Sequence, residues 1–329
     1  MTRDHIDYDV LIIGAGPAGL AAAIRLRQLA SEGGADISVC VLEKGAEVGA
    51  HILSGAIVDP VALNELLPDW RERVAPLNTQ VSDDSVQWLT ARRALRAPGF
   101  ALPPLLDNRG LYVGSLGELC RWLAGQAEAL GVDLYPGYAA ASPCFDAQGA
   151  LTGVLTGDMG RRACGTPGER FAAGIEIRAR YTLVAEGAGG SITRELESHY
   201  GLRDGVGESH HALGIKEVWR VPAAQHRTGS VAHFMGWPLA GHAGGGGFLY
   251  QYGADQVAVG LVTHLGYRNP QLSPFDEFQR FKTHPHIAAV LRGGERIAYG
   301  ARAINEGGLQ SLPALGFPGA CCWAARRVC

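Results

Sequence analysis

Tyr8-Asp9-Val10-Leu11-Ile12-Ile13-Gly14-Ala15-Gly16-Pro17-Ala18-Gly19-Leu20-Ala21-Ala22-Ala23-Ile24-Arg25-Leu26 passes from an apolar, β-branched run through a glycine turn into a helix-forming segment. A second run, Ile37-Ser38-Val39-Cys40-Val41-Leu42, ends at Glu43, 29 residues after Gly14. The order is strand, helix, strand, which predicts an α/β dinucleotide fold. Each residue type has a physical task there. Gly14 permits the tight turn, Gly16 lets backbone approach a pyrophosphate, Gly19 lets helix pack on strand, and the helix N-terminus favours phosphate charge. Glu43, at the tip of the second strand, can accept from ribose hydroxyls. NAD and FAD share this fingerprint; its place within the first twenty residues and the Glu43-Lys44-Gly45 ending favour FAD.

Composition agrees with a large folded chain. Of 329 residues, 47% are apolar and 19% charged, enough to bury sizeable cores and to exclude intrinsic disorder. The formal charge of −3, from 29 Lys and Arg against 32 Asp and Glu, gives no summed field for gathering nucleic acid. Forty-six glycines without a fixed period point to backbone that approaches ligands closely. Seven cysteines, an odd number with no C-x-x-C pair, predict a reducing compartment and carry no tetrahedral metal spacing. No run approaches the roughly 20 apolar residues of a membrane-spanning helix.

Further along, Val48 through Ala56 is a small-residue loop that either passes close to the first unit's ligand or lies on the surface. Prolines at 60, 68, 76, 98, 103 and 104 break any long helix before residue 110. Ser115 through Leu130 has helical spacing of Leu119, Leu123 and Ala127, stopped by Gly131. Val132 through Pro136 reads as the following strand. Alternation at 150–156 and 175–180 predicts antiparallel strands. Tyr181-Thr182-Leu183-Val184-Ala185 leads into Glu186-Gly187-Ala188-Gly189-Gly190, either a further cofactor contact or a plain turn. From about 206 to 294 the pattern turns to tryptophans, histidines and glycines, including Gly244-Gly245-Gly246-Gly247-Phe248-Leu249-Tyr250, and predicts a second, largely β domain. That glycine run is either a flexible loop or uncovered backbone for a carbonyl ligand. His210, His211, His284 and His286 lack ligand spacing and read as surface residues.

These stretches, with Leu53-Ser54-Gly55-Ala56, the segment Leu123 through Gly137, Ala185-Glu186-Gly187, Asn269 through Phe275, and above all Ile297-Ala298-Tyr299-Gly300-Ala301-Arg302-Ala303-Ile304-Asn305-Glu306-Gly307-Gly308, resemble the electron transfer flavoprotein–ubiquinone oxidoreductase family. The resemblance runs from about residue 7 to Pro318 and implies a Rossmann-like FAD-binding domain with an inserted, largely β quinone domain. It implies an FAD-dependent dehydrogenase that takes electrons from reduced electron transfer flavoprotein and reduces ubiquinone. The setting implied is peripheral, on the cytoplasmic face of a bacterial inner membrane or on the mitochondrial inner membrane. Carried over by residue, Gly14, Gly16, Gly19, Glu43, Ser54, Gly55, Glu186 and Gly187 would contact FAD, and Gly245 and Gly246 would offer backbone to the quinone. Phe100, Leu102, Leu105 and Leu106 would touch the membrane. Gly244 departs from a tyrosine frequent in the family. The expected partition assigns 1–75, 111–205 and 295–319 to the FAD-binding domain and 76–110 and 206–294 to the quinone and membrane domain, with 320–329 an aberrant tail. The alternatives are a related FAD-dependent reductase or hydroxylase of isoprenoid or aromatic substrates, or a non-catalytic remnant.

Family members hold a [4Fe-4S] cluster, whose ligands are absent from this chain. After Pro318 the chain shows neither strand alternation nor helical period. With suitably chosen GC-rich codons, a two-nucleotide shift turns 319–329 into a family-like strand. The expectation is a frameshift near codon 319, a lost strand beside the flavin, and weak FAD binding or none.

Overall fold

In the computed structural model, which describes residues 3–52, 55–239 and 243–322, the opening pattern folds as its periodicity dictates. In chain order the elements begin β1 (His5–Ile13), α1 (Pro17–Glu32), β2 (Val39–Glu43), β3 (Ala56–Val58), α2 (Val61–Leu66), β4 (Asp83–Leu89), β5 (Ala94–Arg96) and β6 (Tyr112–Gly114). They continue with α3 (Leu116–Ala129), β7 (Asp133–Pro136), β8 (Ala140–Phe145), β9 (Leu151–Thr156), β10 (Met159–Arg161), β11 (Pro167–Ala172), β12 (Glu176–Val184) and α4 (Ser191–Tyr200). The remainder is β13 (His211–Arg220), β14 (Ser230–Gly236), β15 (Gly245–Tyr252), β16 (Gln256–His264), α5 (Pro274–Thr283), α6 (Pro285–Leu291), β17 (Glu295–Asn305), β18 (Gly316–Phe317) and β19 (Ala320–Cys322).

One sheet runs β18-β19-β12-β1-β2-β7, with β9 and β8 attached beside β12. Its central strands are parallel, so both faces need cover. Val10 and Ile12 point to the side where Leu20 and Ile24 of α1 pack with Leu119 and Leu123 of α3. Leu11 and Ile13, one residue out of phase, join Ile192 and Leu196 of α4 on the other. Ser115 caps α3 by accepting from the Glu118 amide, which fixes where the helix begins.

The second sheet runs β17-β13-β16-β15-β14-β4-β5 and is antiparallel except where β14 meets β4. One face is sealed by α5 and α6, whose Phe278, Phe281 and Ile287 are fully buried against Phe234, Leu249, Val259 and Leu261. Glu217 ties this layer together, its buried carboxylate accepting from Lys282 Nζ at 2.8 Å, Arg296 at 3.1 Å and Trp219 Nε1 at 2.8 Å. Charge burial is tolerated there because both oxygens are hydrogen-bonded.

Four expectations are corrected. Residues 295–305 pair as β17 along all of β13, so they belong to the second sheet and not to the FAD-binding unit; alternation announces a strand but not its partner. Ala320–Cys322 is a strand, parallel to β12 in the register Thr182–Ala320 to Val184–Cys322, with Cys322 in the core. The first three residues of the supposed aberrant tail thus occupy the strand position expected to be lost; the rest lies outside the described residues. Residues 176–184 form one strand, antiparallel to β9 at its start and parallel to β1 along its length. His284 is buried, its Nε2 against Thr90 O at 3.0 Å and its Nδ1 accepting from the His286 amide.

Candidate flavin and quinone site

The glycine turn is built by what surrounds it. Gly14 has φ +107°, and a Cβ there would lie 2.6 Å from the Ala185 carbonyl oxygen at the end of β12. A Cβ on Gly19 would fall 2.0 Å from Gly14 O, so only glycine lets α1 cross β1 this closely. Gly16 differs: nothing lies within 4 Å of a Cβ placed on it. It opens onto free space at the N-terminus of α1, where no side chain caps the helix and no acidic residue sits in the first turn. A sixteen-residue helix whose amides and positive end lack such a partner could hold an anion such as a diphosphate. Glu43 closes the cradle, Oε2 accepting from the Ala15 amide at 3.1 Å and Oε1 from Gly45 at 2.6 Å. Each carboxylate oxygen keeps capacity for a further donor such as a ribose hydroxyl.

The loop after β2 carries the site toward the second sheet. It is folded tightly on α3, where a Cβ on Gly49 would lie 2.5 Å from Gly117 O. Gly55 has φ +89°, and its Cβ would meet Cβ of Ala258 at 2.3 Å, so loop and β16 touch through glycine alone. Arg302 of β17 donates from Nε and Nη2 to His51 O at 3.0 and 2.5 Å, pinning the loop from the other side. Between the two units lies a cavity of about 540 Å³, with His51, Arg121, Gln256, Tyr299 and Arg302 among its walls.

The face of the second sheet away from α5 and α6 turns to this junction. Cross-strand register puts Lys216, Gly260 and Phe248 in one row and Val218, Ala258 and Tyr250 in the next. Lys216 donates to Gly55 O at 3.4 Å, and burial pushes its ammonium down to about 8. Sequence reading gave no role to Lys216 or Arg302. The signal present was a lone lysine in an apolar strand, and an arginine inside the stretch carrying the family resemblance.

The other expected site residues fall in several places. Glu186 accepts at Oε2 from both N and Oγ1 of Thr193, so it serves the first turn of α4. Gly187, with φ +74°, makes the turn that brings it there. Ser54 lies outside the described residues. Gly245 and Gly246 pair with Thr263 and Val262 of β16, while the ladder from β14 stops at Phe234–Gly247. Among the described residues the outer edge of Gly245 has no ladder partner, while the alternation set by the His264 N–Gly244 O bond turns the Gly246 backbone toward Val262. Packing also demands these glycines: a Cβ on Gly245 would lie 2.0 Å from Val262 O, and one on Gly246 2.7 Å from Phe234 O. Phe100 and Leu105 are 94% and 93% exposed, Leu106 is exposed and Leu102 partly so. Trp88 pairs with Leu95 and with Met235, a row of three exposed side chains across β5, β4 and β14.

The described cysteines do not fit an iron–sulfur cluster. Cys40 and Cys120 are core thiols that burial pushes up to about 12, and Cys321 and Cys322 are neighbours on one strand, facing opposite sides.

Residues 12–69 match the NAD(P)-binding Rossmann-like domain, and residues 211–304 match the ubiquinone-binding domain of electron transfer flavoprotein–ubiquinone oxidoreductase. The chain is 53% identical over 321 residues to the electron transfer flavoprotein–ubiquinone oxidoreductase of Pseudomonas aeruginosa, covering 97% of this chain and 58% of that protein. It is 50% identical to the mitochondrial one of Arabidopsis thaliana, covering 96% of this chain and 50% of that protein. The chain thus spans little more than half the length of these relatives. Among solved structures, a geranylgeranyl bacteriochlorophyll reductase-like protein from Thermoplasma acidophilum superposes with a TM-score of 0.69 at 17% identity, over 97% of this chain and 70% of that one. At that identity the likeness is one of fold.

Proposed function

We propose that the chain, about half identical over nearly its whole length to electron transfer flavoprotein–ubiquinone oxidoreductases, is a member of that family and the flavin- and quinone-handling part of an enzyme that passes electrons from reduced electron transfer flavoprotein to ubiquinone. The observation that carries this reading is the contact of two differently built units. An uncapped glycine cradle at Gly14, Gly16 and Gly19 meets, through Gly55 and Ala258, a β sheet in which, among the described residues, Gly245 has no ladder partner on its outer edge. Bound FAD would supply the electron chemistry. Its diphosphate would rest on the amides at the start of α1, and its ribose on Glu43.

This chain's residues position and shield. Arg302 holds the His51 loop, Gly55 brings backbone against the second sheet, and Lys216 places a cation where a reduced, more negative ligand is favoured. Gly245, with the side-chain-free Gly246 beside it, would receive a quinone carbonyl. Phe100 and Leu105, with Leu102, Leu106 and the Trp88–Leu95–Met235 row, form the surface proposed to dip into one membrane leaflet. Arg92 and Arg93, exposed at the β4–β5 turn, would favour anionic lipid. Among the described residues no helix is long and apolar enough to cross a membrane.

The test is anaerobic. The chain is loaded with FAD, the flavin is reduced, and a short-tailed ubiquinone is added while the oxidised flavin absorbance is followed. Rapid recovery is expected; a flavin that stays reduced refutes the reading.

A further inference from the structure

Asp84, His233 and Tyr250 come from three neighbouring strands and form a connected line that none of the roles above uses. The Asp84 side chain is only 7% exposed. Its Oδ2 accepts from Asn108 N and Nδ2 at 2.8 and 2.9 Å, whereas Oδ1 is buried without any hydrogen bond. That orphaned oxygen stands 3.8 Å from His233 Nδ1. The other ring nitrogen, Nε2, lies 2.8 Å from the Tyr250 hydroxyl. In the tautomer with the proton on Nδ1, facing the carboxylate, Nε2 accepts from the Tyr250 hydroxyl.

Register places the line. Val231 stands opposite both Asp84 and Tyr250, and His233 opposite Phe248, so all three polar groups lie on the face that carries Phe248, Gly246 and Lys216. Tyr250 stacks on Phe248 with ring centroids 4.7 Å apart. At the other end, Asn108 joins Asp84 to the exposed Asp107–Arg109 turn. The line therefore leads from an exposed loop to the face turned toward the cradle.

We propose that Asp84, His233 and Tyr250 are a proton relay for quinone reduction, with Tyr250 the catalytic donor and His233 and Asp84 its positioning residues. The proposal rests on the functional reading above. Reducing a quinone to a quinol takes two electrons, which come through the flavin, and two protons. In each transfer the Tyr250 O–H bond breaks as a quinone O–H bond forms, and His233, protonated from solvent, returns a proton from Nε2 to the phenolate oxygen. Asp84 stabilises the imidazolium meanwhile. Burial lowers the His233 imidazole and the Asp84 charge opposes that shift; burial and the same charge hold the Tyr250 hydroxyl protonated. The charged and titratable groups set about His233 are Asp84 from β4 and Tyr250 from β15, with Arg109 beyond Asp84.

Two measurements test this. In the FAD-loaded, reduced chain, Tyr250→Phe should slow reoxidation by a short-tailed ubiquinone about 100-fold, the usual size of a general-acid contribution. Reoxidation by ferricyanide, which takes no proton, should be unchanged. His233→Gln should slow the quinone reaction and remove the His233 limb of its pH profile. In the chain without flavin, NMR titration of His233 should give a lower pKa in Asp84→Asn than in the wild type. Wild-type quinone rates in both relay variants, or a His233 titration indifferent to Asp84→Asn, overturn the relay while leaving the functional reading intact. A wild-type chain that binds FAD but never reduces quinone overturns both.

Discussion

Lys216→Met should make the protein more stable at neutral pH. The ammonium is held among Gly260, Phe248 and Gly55, with a 3.4 Å contact to Gly55 O, and burial depresses it from 10.5 to about 8. At about 1.4 kcal/mol per pKa unit, keeping this charge folded costs about 3 kcal/mol, an upper figure because the side chain is only part-buried. Methionine keeps the apolar stem and drops the charge. The sign follows from proton linkage. The folded-state pKa lies below the unfolded one, so between about 8 and 10.5 the unfolded chain binds more protons and wild-type stability rises with pH. Below about 8 the full penalty stays. Guanidinium unfolding followed by the fluorescence of Trp219 and Trp237, which pack against the second sheet's core, reads this directly. The variant should exceed the wild type by about 2 kcal/mol at pH 7, within that upper figure, and the gap should shrink by pH 10. A variant less stable at pH 7, or a gap unchanged between the two pH values, refutes the reasoning. A destabilising charge beside Gly55 makes sense as a device for ligand charge, so the same variant should bind FAD more weakly.

Other outcomes follow from the same geometry. Glu217→Ala leaves Lys282 without its buried counterion and should cost about 3–5 kcal/mol in the same unfolding assay. Arg302→Ala removes both hydrogen bonds to His51 O and should weaken FAD binding about tenfold, the worth of one charge-assisted bond, in a fluorescence titration. Phe100→Asp combined with Leu105→Asp should abolish co-sedimentation with anionic vesicles without lowering the melting temperature, since both side chains are almost wholly exposed.

Much of this was legible in residue order because local physics decides it. The apolar run Val10–Ile13, the glycine turn and the helical spacing of Leu119, Leu123 and Ala127 each specify one conformation from neighbours a few residues away. Pairing between distant segments was not legible. The strand at 295–305 is mostly exposed and has no pattern naming β13 as its partner, so its place in the second sheet does not follow from its own residues. Ala320–Cys322 becomes a strand because β12 offers it an edge, not through its own periodicity. His284 is buried because α5 ends against Thr90, nearly two hundred residues earlier. The same holds for the site: the cradle glycines announce themselves, while Lys216 meets Gly55, and Asp84 meets His233, only once the sheets are assembled.

An equilibrium titration with FAD, run on the chain and on Gly16→Val, tests the cradle most directly. Open space around Gly16 lets valine fold there unhindered, with circular dichroism and melting temperature unchanged, while its side chain fills the place of the diphosphate. One-to-one saturable binding by the wild type, lost in the variant, is the expected result. No saturable binding by the wild type, or equal affinity in both, contradicts the account.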